Sequence, residues 1–214
     1  MRNIILFGSP GAGKGTLIEL LAEKGIQFSL VNPGQMLRDL SKDDSDLAKK
    51  IRETMASGGL VDDFLVTELV KKKMRELKND KPVIFDGYPR SFGQVEKVDS
   101  IFAENEFDLP YLVFVKISKE EAVKRLSSRR VCSVCKENFQ VFELKNPDVC
   151  PKCGGKLIQR DDDKPESIET RFELFDMQFK IIEHYFKSKD RYFEIDGTIP
   201  KPERVQKLIE IIQS

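Results

Sequence analysis

The residues Gly8-Ser9-Pro10-Gly11-Ala12-Gly13-Lys14-Gly15-Thr16 follow directly on the apolar run Ile4-Ile5-Leu6-Phe7. Glycines at this density let backbone N–H groups converge on an anion, and a helix starting here adds the partial positive charge of its N-terminus. Lys14 sets an ammonium beside them. The chemistry open to this set is the cradling of nucleotide phosphates. The general form of such a loop has Ser or Thr immediately after the lysine; here Gly15 intervenes and Thr16 supplies the hydroxyl.

A second constellation lies far along the chain. Cys132-x-x-Cys135 and Cys150-x-x-Cys153 are the only cysteines, with 14 residues between the two pairs. Two such knuckles match the tetrahedral thiolate ligation of zinc, and four thiolates close the coordination sphere, so the ion would be structural. Paired disulfides fit less well, because the cysteines share one segment instead of framing a small secreted fold. A zinc ribbon that grips nucleic acid is a further reading of the same spacing.

Arginine supplies the third signal. Transfer of a phosphoryl group to a phosphate acceptor needs no general base, since the attacking oxygen is already ionised. The work falls to cations placed where charge spreads. Arg38, Arg90, Arg125, Arg129, Arg160 and Arg171 stand at junctions between patterned segments, and guanidinium forks suit phosphate oxygens. Arg125 and Arg129, four apart on an expected helix, would share a face. Asp86, ending an apolar run, is placed to hold magnesium directly or through water. His184, the one histidine, sits mid-helix among Phe179, Tyr185 and Phe186 and reads as packing or surface.

Apolar runs at Ile4–Phe7, Phe28–Val31, Val83–Phe85, Tyr111–Ile117 and Tyr192–Ile195 read as strands. Between them, Leu17–Lys24, Asp46–Ala56, Asp63–Lys78, Lys119–Arg129, Ser167–Lys187 and Glu203–Ile212 carry helical patterns. The alternation predicts an α/β fold: a central five-stranded parallel sheet between helical layers, with ligands beyond the carboxyl ends of the strands. Residues 32–61, polar and helical, and residues 128–163, which hold the cysteines, interrupt it. Both read as inserted mobile subdomains. The remaining stretches, 1–31, 62–127 and 164–214, form the core.

Lys plus Arg and Asp plus Glu number 36 each, so no global field favours nucleic acid or an anionic membrane. No apolar run approaches the ~20 residues of a bilayer span, and the N-terminus lacks a secretory core. A cytoplasmic location and no membrane partner are the expectations.

Taken together, these motifs resemble the adenylate kinase family over essentially the whole chain. The resemblance implies that Gly11, Ala12, Gly13, Lys14, Gly15 and Thr16 bind the ATP phosphates. It places Arg38 on the helix that holds the monophosphate, and Gly59-Leu60-Val61 along the AMP pocket. Asp86-Gly87-Tyr88-Pro89-Arg90 with Gln94 resembles the family signature in which the arginine takes the AMP phosphate and the glutamine reads adenine. The resemblance casts Arg125 and Arg129 as ATP-side and catalytic arginines leading into the lid. It also casts Arg160 and Arg171 as catalytic and AMP-binding, Asn138-Phe139 as the cover of the ATP adenine, and Ile199 as part of a late loop beside that base. Some bacterial members carry zinc in the lid, which favours the structural-metal reading of the cysteines. Magnesium enters with ATP, the partners are ATP, AMP and ADP, and a monomer is expected.

Three positions depart from the family pattern. Pro33 stands where threonine is usual beside the AMP base, Gln35 where aspartate is usual, and Leu17 where glutamine commonly follows the loop. Pro33 offers the base neither hydroxyl nor N–H. It favours a UMP/CMP-type kinase as the alternative, against Gln94 and the cysteine-bearing segment. A nucleotide-switched binding module is the third reading.

Overall fold

The computed structural model describes all residues, Met1–Ser214. The chain runs β1 (Ile4–Phe7), α1 (Lys14–Glu23), β2 (Ser29–Val31), α2 (Pro33–Leu40), α3 (Asp46–Ala56), α4 (Asp63–Arg75) and β3 (Val83–Asp86). It continues through α5 (Phe92–Ala103), β4 (Tyr111–Lys116), α6 (Lys119–Ser127), β5 (Arg129–Cys132), β6 (Asn138–Gln140) and β7 (Leu157–Ile158). The last elements are α7 (Pro165–Lys187), β8 (Tyr192–Asp196) and α8 (Lys201–Gln213).

The five expected strands form one parallel sheet in the order β2-β3-β1-β4-β8. Strands covered on both faces read as unbroken apolar runs, and β1 is buried at every position. Successive side chains leave on opposite faces. Ile5, Phe7, Phe85, Leu112 and Phe114 pack with α4, α5 and α7 through residues such as Val70, Val98 and Phe186. Ile4, Leu6, Ile84, Val113 and Val115 pack with α1 and α8 through Leu17, Leu21, Leu208 and Ile212. The sheet thus fixes β1 and β3 side by side, and the turns that follow them open on the same edge.

Two corrections to the sequence reading concern helices. Phe92–Ala103 is helical although no helix was expected there; Ser91 caps it by accepting from the Gln94 N–H at 3.2 Å, and Val95, Val98, Ile101 and Phe102 form its buried stripe. The helix expected to reach Arg129 ends at Ser127. Ser128 closes it, and Arg129 opens β5, the central strand of a small antiparallel sheet ordered β6-β5-β7. Arg125 and Arg129 therefore do not share a helix face. The segment holding the cysteines is built on this second sheet.

Residues 32–61 and 128–163 both touch the rest of the chain. Ser167 Oγ on α7 donates to the Ala56 carbonyl at 2.7 Å, seating the end of α3. Lys201 at the start of α8 meets Glu143 at 2.7 Å, and Asn138 on β6 lies beside Glu19 on α1.

Candidate active site

The glycine loop bends where glycine alone is comfortable. Gly11 has φ 85°, and a Cβ there would lie 2.6 Å from the Ala122 carbonyl oxygen. Gly13, at φ 89°, caps α1 without a side-chain bond, so the N-terminal N–H groups of that helix stay free for an anion. Lys14 Nζ folds back onto the loop and donates to the carbonyls of Gly8 at 2.7 Å and Ser9 at 3.2 Å. Burial pushes its pKa down to about 8; the Asp86 carboxylate resists that fall, while Arg90, Arg171 and Arg129 reinforce it.

The loop following β3 faces Lys14. Asp86 accepts from Asn32 Nδ2 at 2.8 Å, and Asn32 also caps α2 by accepting from the Gln35 N–H at 2.8 Å. Arg90 Nε donates to the Gly87 carbonyl at 2.8 Å, which aims its fork into the cleft. Tyr88 is fully buried with its hydroxyl 3.4 Å from Thr67, and burial pushes its pKa up to about 12. Gln94 is engaged at both ends of its amide: Oε1 accepts from the Arg90 N–H at 2.8 Å and Nε2 donates to Asp63 at 2.6 Å. An amide has two N–H groups and two lone pairs, so one of each remains for a base edge.

One cleft is walled by Pro33, Gly34, Gly59, Leu60, Val61 and Gln94, with Gly87, Arg90, Asp162 and Arg171 also lining it. A second cleft is lined by Pro10, Lys14, Phe175 and Gln178 and shares Gly58, Leu60, Gly87, Arg90 and Arg171 with the first. The two are chambers of one crevice, joined at two arginines.

Carboxylates that sequence reasoning passed over hold the arginines in place. Arg129 makes a two-pronged bond to Asp163 at 2.6 and 2.7 Å, and Arg160 grips Asp162 at 2.6 and 2.8 Å. Arg171 donates to Asp163 at 3.1 Å and to the Asp162 carbonyl at 2.8 Å. Burial raises the Asp162 pKa, but Arg160 and Arg171 overcome it and hold the carboxyl below its ordinary range. Burial also lowers Arg171 and Arg38 to about 10 each. The signal was present in the run Asp161-Asp162-Asp163 directly after Arg160, but which carboxylate meets which arginine depends on the α7 packing.

Arg125 stands apart from this group. It bonds Glu121 at 2.7 Å and the Gly197 carbonyl at 3.2 Å, beside the turn that carries Ile199. Asn138 and Phe139 lie on β6; the Phe139 ring packs against Cys132, Cys150 and Leu157. His184 is exposed in the last turn of α7, as its sequence setting indicated.

The four cysteine sulfurs converge within 4.8 Å of one another, with Cys132–Cys153 at 3.4 Å and Cys135–Cys150 at 3.7 Å. Sulfurs around a tetrahedral ion at ~2.3 Å stand about 3.8 Å apart, close to this spacing. All four are free thiols. Desolvation opposes ionisation of Cys132, yet the N–H groups of Cys135 and Val134 bring its pKa down to about 6.

A glycine loop at the end of a central parallel strand, facing an arginine-walled double cleft, defines a P-loop phosphotransferase. Comparison with known proteins sharpens the class: the family model described as adenylate kinase matches residues 6–191. Relatives named adenylate kinase include one from Thermotoga neapolitana, 36% identical with 99% of this chain and 97% of the relative covered. Another, from Thermosipho africanus, is 33% identical with 99% of each covered, and one from Archaeoglobus fulgidus is 36% identical over 92% and 91%. The chain belongs to the adenylate kinase family, and adenylate kinase activity is its function.

Proposed function

We propose that the two chambers are the two nucleotide seats of the reaction ATP plus AMP giving two ADP. ATP lies along the glycine loop and Lys14; AMP lies in the chamber of Gly59, Leu60, Val61 and Gln94. The observation carrying this reading is the shared wall: Arg90 and Arg171 border both chambers. A phosphoryl group crossing between them passes those two cations. An ionised AMP oxygen forms the new P–O bond as the bond from the γ-phosphorus to the β–γ bridging oxygen breaks. The displaced ADP keeps that electron pair, and no protein base is needed.

In this reading Lys14, Arg129 and Arg160 spread charge from the ATP side and Arg38 holds the AMP phosphate. Asp162 and Asp163 hold the arginines while no nucleotide competes. Residues 32–61 act as the monophosphate subdomain and 128–163 as the lid, closing on the core formed by the rest. Asn138, Phe139 and Ile199 border the donor base, and Arg125 serves ATP beside the glycine loop. Closure removes water that would otherwise accept the phosphoryl group.

Magnesium accompanies ATP. Asp86 spends one carboxylate oxygen on Asn32 and leaves the other without a protein donor, a hard oxygen suited to a magnesium-bound water. The ion, when bound, neutralises charge on the β- and γ-oxygens. Cys132, Cys135, Cys150 and Cys153 would hold one structural zinc. No helix is long and apolar enough to cross a membrane, and the balanced charge sets up no global field for nucleic acid; a cytoplasmic monomer is the setting proposed.

Phosphoryl transfer from ATP to AMP, CMP, UMP and GMP, for the wild type and Arg90→Ala, tests the seats. AMP is expected to be strongly preferred, and Arg90→Ala to lose at least ~10²-fold in turnover while staying folded. Near-normal turnover in that variant would refute the shared wall, and preference for a pyrimidine would refute the role of Gln94.

A further inference from the structure

The structure assigns Arg204 on α8 as a further donor-nucleotide residue: we propose that its guanidinium, with that of Arg125, takes the phosphate chain of ATP on the flank of the glycine loop. The inference rests on the reading of residues 11–16 as the ATP seat.

Three observations carry it. Arg204 is only 6% exposed, yet its side chain makes no hydrogen bond or ion pair, and its Nε is buried without a partner. Every other arginine around the crevice has an acceptor. Arg38 has Gln35, Arg90 has Gly87, Arg125 has Glu121, and Arg129, Arg160 and Arg171 have Asp162 or Asp163. Buried guanidinium groups are not left unpaired without consequence, because the desolvation cost is then offset by nothing.

The second observation is place. Arg204 Nη1 lies 3.3 Å from the point where a Cβ on Gly13 would stand, and Arg125 Nη1 lies 3.9 Å from the same point. Two guanidinium groups therefore converge on the residue that caps α1. Arg125 uses its Nε for Glu121 and its Nη2 for the Gly197 carbonyl, so its Nη1 also lacks an acceptor.

The third is the state of the nearby carboxylates. Asp196 accepts from the Thr198 N–H at 2.8 Å and from its hydroxyl at 2.6 Å, and Glu143 is bound by Lys201. Burial and the Arg125 charge lower the Arg204 pKa, while Asp196 and Glu143 act from a distance in the opposite sense. Glu121 answers Arg125 through its Nε alone, and no carboxylate bonds Arg204, so the two converging groups keep unpaired N–H donors that suit an anion; the anion this enzyme brings to the glycine loop is the triphosphate.

The test compares wild type, Arg204→Met, Arg204→Lys and Lys14→Met as full chains. KM is read for ATP and AMP separately, together with the melting-temperature shift produced by ATP and by inorganic tripolyphosphate. Arg204→Met is expected to raise the KM for ATP about tenfold, a difference typical of one lost charge-assisted contact, with the KM for AMP within twofold. It should also reduce the stabilisation by tripolyphosphate, and Arg204→Lys should recover part of both. A merely structural arginine would alter the ligand-free melting temperature and leave these ligand-induced shifts unchanged, which overturns the proposal. So does an Arg204→Met variant with unchanged KM for ATP while Lys14→Met loses ATP binding. If Lys14→Met also binds ATP normally, the seat itself is misassigned and the proposal falls with it.

Discussion

Lys14 is the clearest point at which this structure makes a quantitative demand. Without nucleotide its ammonium has two loop carbonyls and three nearby arginines, and burial brings its pKa down to about 8. Phosphate oxygens close to the ammonium favour the charged form and return the pKa well above that. Affinity for ATP must then fall as Lys14 deprotonates in the free enzyme. For a free-state pKa of about 8, linkage gives an apparent Kd about tenfold weaker at pH 9 than at pH 7, with uptake of nearly one proton per ATP at pH 9. Arg38 and Arg171, brought down only to about 10, remain charged across that window.

The same burial has a stability consequence. Lys14 binds its proton more tightly in the unfolded chain, so ligand-free stability rises with pH between about 8 and the ordinary 10.5, as the cost of burying the charge is relieved. That fall in pKa corresponds to a ceiling of about 3 kcal/mol below pH 8. Partial solvent access and the two carbonyl bonds reduce it. Lys14→Met should therefore abolish phosphoryl transfer and yet raise the ligand-free melting temperature at pH 7, by about 2–8 °C for a net gain of about 1–2 kcal/mol. Isothermal titration in buffers of different ionisation heat reads the proton uptake, and thermal melts read the stability. An ATP affinity that is flat from pH 7 to 9, or a Lys14→Met variant that melts below wild type, would refute the reasoning.

Asp163 is 1% exposed and serves two arginines, so Asp163→Asn should cost about 3 kcal/mol in denaturant-derived stability; a loss below about 1 kcal/mol would show that the arginines stand without it. Metal analysis of reduced protein should return one zinc per chain, and Cys150→Ser should lower the melting temperature more than it lowers turnover at low temperature; protein purified without zinc and equally stable would exclude the metal. Burial, then Glu137, pushes the Glu19 carboxyl up to about 7 where α1 meets the segment carrying β6. The folded pKa lies above the unfolded one, so this contribution is complete below the ordinary 4.5 and lost as pH rises through about 7. Glu19→Gln should accordingly stabilise the chain relative to wild type at pH 8 and not at pH 4.5, and equal melting differences at both values would contradict that.

The parts legible in the sequence were those governed by local rules. Buried parallel strands carry uninterrupted apolar runs, so β1, β3, β4 and β8 were readable to within a residue or so, and the glycine loop declared its own turn. The helix Phe92–Ala103 was less legible because it opens on Phe92-Gly93; its signal lay in the Ser91 cap and the buried spacing Val95, Val98, Phe102. The polar pattern of Lys119–Ser127 continues through Ser128-Arg129-Arg130, so local pattern alone extends the helix to Arg129. Only pairing with Gln140 and Phe139 across β6 makes residues 129 and 130 a strand. The Asp162–Asp163 pair was visible as residues but not as partners. Its role follows from α7 packing against the end of the cysteine-bearing segment, a tertiary fact that no local pattern encodes.

That carboxylate pair also explains how a site built to attract polyanions persists without them. Lys14, Arg38, Arg90, Arg129 and Arg171 act on one another electrostatically, with Asp86, Asp162 and Asp163 among the carboxylates that answer them. The carboxylates prevent the arginines from flying apart, yet they leave an excess of positive charge that a nucleotide must complete. Phosphates arriving at the two chambers do not displace a neutral lattice; they relieve a repulsion already present among the arginines. On the proposed seating, Arg90 and Arg171 border both chambers and can meet phosphate from either. On that seating, donor and acceptor phosphates meet at one pair of cations, so charge developing during transfer to AMP falls where those cations already stand.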